Sequence, residues 1–349
     1  MIIKKVPLRL ADRSRHLRRW NGLDSVHSNI PAHSRSARRR ALSRTATAGA
    51  LLSASALALS GCGQGPHDGD DEITIVTSTS VYADIAEQVA GDGVRVVPII
   101  DSPSQDPHSF EAAPADRLSV EDADLVLMNG GGYDAFMEDL IGDSDVPVID
   151  AVELSGLEGA EAATEEDHEH AEGEEHHHHG GFNEHVWYDL GTVDAVAQEI
   201  GGRLGELDPD GADDYAQRAE DFGGELEALG QRLDGIDAEG DFLATEPVAD
   251  HMLERAGLHD ATPEDFTAAV EDGADIPPLT YTEVEDAISG GQIDLLAVNE
   301  HTASGQTERL SESAESAGVP IASFTETMPE GQSFLEWMDA NVDSIEQAA

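Results

Sequence analysis

From Ile73 onward, short runs of apolar and β-branched residues alternate with stretches of helical period, and this alternation restricts the fold more than any other feature. Residues 73–78 form a strand pattern followed by a helix near 82–89, and 94–100 is a second strand. Helical 115–121 leads to an apolar run at 125–128, and helical 135–140 leads to another at 146–149. Such alternation predicts an α/β fold of mainly parallel sheets with crossover helices.

The pattern stops at 156–181, a tract of Glu, Ala, Gly and His that is expected to supply no core. A helix over 193–207 and a turn at Asp208-Pro209-Asp210-Gly211 precede one long helix over 212–233. On that helix Tyr215, Ala219, Phe222, Leu226 and Leu229 keep an apolar stripe. The alternation resumes with a strand at 241–245, helices from Pro247 and over 281–289, and a strand at 294–298. A helix near 306–317, a strand at 320–324 and a last helix from Ser333 follow. Two α/β lobes, 72–208 and 236–349, therefore flank a linking helix at 209–235. Ligands of open parallel sheets sit beyond the carboxyl ends of the strands, so a site between the lobes is expected.

The first 62 residues read as an address. Arg38-Arg39-Arg40 precede a small-residue apolar run at 48–59, too short for an ordinary membrane span and shaped like a signal peptide. It ends Leu59-Ser60-Gly61-Cys62, which resembles a lipobox, in which the cysteine is acylated and becomes the new N-terminus. Arg39-Arg40-Ala41-Leu42 is also similar to a twin-arginine signal. Residues 63–71 read as a flexible tether.

Charge and missing residue types narrow the chemistry. The formal net charge is −53, yet twelve of the 19 basic residues and only two of the 72 acidic ones precede Cys62. The remainder carries about −63, a field that repels nucleic acid and attracts cations. No lysine follows Lys5, so no phosphate-loop lysine or Schiff base is available. Cys62 is the sole cysteine, so any metal site must be built from His, Asp and Glu.

Asp106-Pro107-His108-Ser109-Phe110-Glu111 follows the second strand, and its Asp-Pro turn projects His108 beyond the sheet. Asn183-Glu184-His185-Val186-Trp187-Tyr188-Asp189 opens the helix after the acidic tract. These segments, with Asn129-Gly130-Gly131-Gly132-Tyr133, resemble those of the zinc/manganese class of ABC-transporter solute-binding lipoproteins, and the resemblance spans about 72–349.

The resemblance implies two lobes joined by a rigid helix, with the metal in the cleft and two ligands from each lobe. His108 and His185 match the first pair; Glu246, in Thr245-Glu246-Pro247, and Glu326, in Thr325-Glu326-Thr327, match the second. His251, five residues along the helix from Glu246, is expected to face away from it. The family's second segment usually carries Asp-Pro where this chain has Asn183-Glu184, and zinc members often carry His where it has Glu246.

The tract also holds His168, His170 and His176, His177, His178 and His179, similar to the His-rich loop of zinc members and expected to collect metal weakly. Zn²⁺ is the expected cargo, with Mn²⁺ the alternative because carboxylate oxygens suit it. The implied partners are a permease with its ATPase, and the membrane through a lipid anchor; nucleic acid is not a partner, and the chain is expected to be a monomer.

A secreted zinc hydrolase would need an open coordination position beside a general base, and the sequence has no His-Glu-x-x-His. A pocket for an organic solute would want aromatics, which make up 5% of the chain. Acylation at Cys62 is checked by fractionation: Cys62→Ala should move the protein from the membrane to the medium, and unchanged retention would refute the lipobox.

Overall fold

The computed structural model describes residues 72–349 except 104, 106, 168–181, 272 and 300. In it the expected alternation becomes two sheets of four parallel strands. The first half runs β1 (Ile73–Thr79), α1 (Ser80–Ala90), β2 (Val94–Ile100), α2 (Pro114–Glu121), β3 (Leu125–Met128), α3 (Phe136–Ile141) and β4 (Val148–Asp150). Four helices follow: α4 (Ala151–Ser155), α5 (Ala160–Asp167), α6 (Leu190–Leu207) and α7 (Ala212–Asp234). The second half begins β5 (Gly240–Ala244), α8 (Asp250–Arg255), β6 (Leu258–Asp260), α9 (Glu264–Glu271) and α10 (Pro278–Ser289). It ends β7 (Leu295–Asn299), α11 (Gly305–Ala317), β8 (Ile321–Phe324) and α12 (Phe334–Ala348).

The strand orders are β2-β1-β3-β4 and β6-β5-β7-β8, the same topology twice. Ile75 pairs with Val96 on one side and Leu125 on the other, as Phe242 does with Asp260 and Leu295. In each sheet the chain leaves the first strand toward one edge and returns on its other side. That reversal opens a crevice at the carboxyl ends of the two central strands. Every residue of β3 is buried, which is why a sheet covered on both faces needs the unbroken run Leu-Val-Leu-Met.

Helix α7 carries the long stripe at helical spacing, and Tyr215, Ala219, Phe222, Leu226, Leu229 and Leu233 are all buried. One continuous core holds Ile75 and Leu127 of the first sheet, Phe242 and Phe324 of the second, Phe222 of α7 and Trp337 of α12. Polar ties reinforce α7 at both ends. Arg218 donates to the carbonyls of Val89 and Ala90 at 2.6 and 2.9 Å, closing the end of α1. Arg232 reaches Asp339, Asp343 and Glu346 on α12. These exposed ion pairs each contribute little, so burial of the stripe carries the attachment.

One expectation needs correction. The tract 156–181 does supply core: α5 lies within it, and Ala160 and Ala163 are both 4% exposed. Alanine has the highest helix propensity and is small enough to bury in a helix that is otherwise acidic, so low apolar content misled. The helix expected from Pro247 does begin there, as a 3₁₀ turn over Pro247–Ala249 that runs directly into the six-residue α8. Among the described residues, no helix is long and apolar enough to cross a membrane.

Removing the Phe222 ring should expose how far the fold depends on α7. Phe222→Ala should cost about 3–5 kcal/mol in urea unfolding, from lost transfer and the cavity left behind. A loss below about 1 kcal/mol, the scale of a surface change, would show that the stripe is not the attachment.

Candidate metal centre

His108 sits in a 3₁₀ turn, Pro107–Ser109, beyond the carboxyl end of β2. Its ring packs edge-on against Tyr133, with centroids 5.0 Å apart. Tyr133 ends the turn that follows β3, in which Gly130, Gly131 and Gly132 all take positive φ (78°, 64° and 87°). Glycine alone adopts such a run without strain, and a Cβ on Gly130 would also collide with the carboxylate of Asp150. Buried Asp134 fixes this turn by accepting from the backbone N–H of Asn129 at 2.7 Å and of Gly130 at 2.9 Å.

His185 lies just before a second 3₁₀ turn, Val186–Tyr188, and is 1% exposed. Asn183 Oδ1 accepts from the His185 backbone N–H at 3.0 Å and lies 2.8 Å from Nδ1. That contact keeps a proton on Nδ1, so in the neutral ring, the form that can bind a metal, Nε2 carries the lone pair. Asn129 steadies the same loop from below: its Nδ2 donates to the Glu184 carbonyl at 2.9 Å, and its Oδ1 accepts from Tyr82 at 2.5 Å.

From the second half, Glu326 follows β8, is 6% exposed and approaches His108 Nε2 to 3.4 Å. One ligand atom each from His108, His185 and Glu326 lie within 4.8 Å of one another, a spacing that a single cation can bridge. Burial pushes the Glu326 carboxyl upward, but His108 contact, the charges of both imidazoles and the Tyr133 hydroxyl outweigh it and hold the group below the usual range. Its buried Oε1 is the oxygen that faces His108 Nε2, and as a carboxylate oxygen it has lone pairs to offer a cation.

Glu246 follows β5, is 5% exposed and lies next to this trio rather than inside its 4.8 Å limit. Its carboxylate does not cap the turn it precedes; Asn299, the last residue of β7, and Thr302, just beyond it, donate to it, Thr302 at 2.6 Å. Burial, then the nearby Glu326 charge, raise it to about 7 against the pull of Thr302, Asn299 and His108. A dication between the two acids would relieve both burial and repulsion. His251 points elsewhere, with Nε2 3.2 Å from the Asn183 carbonyl.

The structure thus brings together three of the four sequence-predicted ligands and sets Glu246 beside them. His168, His170, His176–His179 and Cys62 lie outside the described residues. Sequence reasoning missed Asn299 and Thr302; only their place just beyond an apolar run, at a strand's carboxyl end, could have pointed to them.

A two-lobed parallel α/β chain with imidazoles and carboxylates meeting at the strands' carboxyl ends is the frame of a metal-binding solute-binding protein. The chain belongs to the family described as zinc-uptake complex component A, periplasmic, whose model matches residues 75–348. It is 33% identical over 177 residues to a manganese-binding lipoprotein, MntA, of Halalkalibacterium halodurans, covering 50% of this chain and 54% of that protein. It is 24% identical over 333 residues to the manganese ABC transporter substrate-binding lipoprotein PsaA of Streptococcus pneumoniae, covering 84% and 96%. Among solved structures, the periplasmic zinc-binding protein TroA of Treponema pallidum shares the fold at 17% identity, with TM-score 0.62 over 79% of this chain and 99% of that one. The solute-binding protein FpvC of Pseudomonas aeruginosa, solved with Mn²⁺, does so at 21% identity, with TM-score 0.61 over 79% and 98%.

Asp150, against the glycine turn, offers a pH test away from the metal-facing side chains. Burial, with the charges of Asp134 and Glu153, raises its carboxyl to about 7, although the Glu153 and Val152 N–H groups oppose the rise. A raised acid adds stability that is complete below its unfolded pKa near 4 and lost as pH rises through about 7. Asp150→Asn keeps a good cap for α4 but cannot ionise. Its melting temperature relative to the parent should therefore climb between pH 4 and 8; a parallel pH profile would refute the assignment.

Proposed function

We propose that this chain is the extracytoplasmic solute-binding lipoprotein of an ABC importer, which captures a divalent transition metal and passes it to a membrane permease and its ATPase. The observation that carries this reading is the meeting of half-buried His108 with buried His185 and Glu326 within 4.8 Å. With Glu246 they form the proposed ligand set, two from each lobe, taking 72–208 and 236–349 as the lobes and 209–235 as the helix between them. The metal is cargo, and the residues hold it without chemical change. Cys62 carries the proposed lipid anchor, a reading supported by relatives named as lipoproteins. The histidines of 168–179 collect metal weakly.

Zn²⁺ is the favoured cargo. Two imidazoles and two carboxylates make a compact four-ligand set, and nitrogen–oxygen sites of this kind generally bind Zn²⁺ more tightly than Mn²⁺. The family description, zinc uptake, agrees. Mn²⁺ is the second reading, favoured by the manganese-named relatives and by the two carboxylates.

Metal analysis of untagged protein, followed by titration with Zn²⁺ and Mn²⁺, tests both. A metal that joins the lobes should stabilise the fold by about 4 kcal/mol at a thousandfold excess over Kd. His108→Ala or His185→Ala should remove most of that melting shift, and Glu246→Ala should weaken binding about tenfold or more, whereas His251→Ala should leave it nearly unchanged. Full metal-induced shifts in both histidine variants would refute the site, and tighter Mn²⁺ than Zn²⁺ binding would reverse the choice of cargo.

A further inference from the structure

Asn183 stands at a position the four ligands do not explain. Its Oδ1 accepts from the His185 backbone N–H at 3.0 Å and meets Nδ1 at 2.8 Å. Its Nδ2 donates to the Pro247 carbonyl at 2.7 Å, in the turn that begins at Glu246. Its own carbonyl lies 3.2 Å from Nε2 of His251, on the helix after that turn. One residue of the first half therefore touches a ligand of its own half and both ends of the short segment that follows a ligand of the other. The amide orientation follows from these partners: a flipped amide would set its NH₂ against the His185 N–H and its oxygen against a carbonyl.

We propose that Asn183 is a positioning residue that sets His185 and the Glu246 turn together, one end of its amide acting on each half of the cleft. The choice of asparagine follows from this double task. A carboxylate could serve as the acceptor for His185, but it has no hydrogen to give the Pro247 carbonyl and would face that oxygen with a negative charge. Alanine could do neither. The amide also orients His185 without adding a third carboxylate beside Glu246 and Glu326.

The inference rests on the metal-binding reading, and its test separates the two. Metal-free protein labelled with ¹⁵N-histidine reports the His185 tautomer, identified by loss of its signals in His185→Gln. Amide hydrogen exchange at 248–252 reports the Glu246 turn. The parent should show the Nδ1–H tautomer. Asn183→Asp should keep that tautomer yet speed exchange at 248–252 by about fivefold, the effect of one lost hydrogen bond. Asn183→Ala should mix the tautomers, speed exchange equally and weaken Zn²⁺ binding by about tenfold to a hundredfold. An unmixed tautomer in Asn183→Ala, or parental exchange in Asn183→Asp, would overturn the proposal. A parent that binds neither Zn²⁺ nor Mn²⁺ would instead sink the functional reading and leave the tautomer and exchange results to decide the role of Asn183.

Discussion

Two carboxylates are withheld from water in one cleft, and the rest of the molecule is arranged around that cost. Glu246 and Glu326 are 5% and 6% exposed, and burying an anion is expensive unless positive or donating groups face it. Each acid is met differently. Glu326 has the imidazoles of His108 and His185, whose charge holds its carboxyl low. Glu246 has the neutral donors Asn299 and Thr302, which do not offset burial, and its carboxyl rises. The two acids are met unequally, and a dication between them would relieve the burial and repulsion of both.

Holding four such side chains steady requires a frame that spans both sheets. The duplicated strand order provides it by opening a crevice at the same end of each sheet. The continuous core beneath both is stitched by α7 and α12. Further ties cross directly at the cleft: the Tyr188 hydroxyl donates to the Thr325 carbonyl at 2.8 Å, and Thr327 to that of Pro103 at 3.1 Å. Each contributes about 1 kcal/mol, but together they fix loops that would otherwise be the mobile part of an α/β fold.

Behind the imidazoles stands a support built from uncharged groups. Tyr133 and Trp187 pack against His185 at centroid distances of 6.0 and 5.2 Å, and Asn129 and Asn183 grip its loop from two sides. Buried amides and aromatics orient the ligands without competing with them for a cation, which a ring of further carboxylates would do.

Much of this was legible in the sequence, because periodicity and turn chemistry are local. The apolar runs at β3 and β7, the stripe on α7 and the Ser333 start of α12 each declare themselves within a few residues. His108 and His185 stood out because each follows a strand or opens a helix within a patterned segment. The sequence could not reveal which distant groups answer one another. That Glu246 is held by Asn299 and Thr302, 53 and 56 residues on, depends on β5 and β7 lying side by side. That Asn183 serves His185 with one end of its amide and Pro247 with the other depends on the two halves meeting at the cleft. Local preference determined the elements, the stripe and the candidate ligands, since those rest on backbone geometry and neighbouring side chains. Only tertiary structure decided the partnerships, because the desolvation that makes them matter exists only once the sheets have closed over the site.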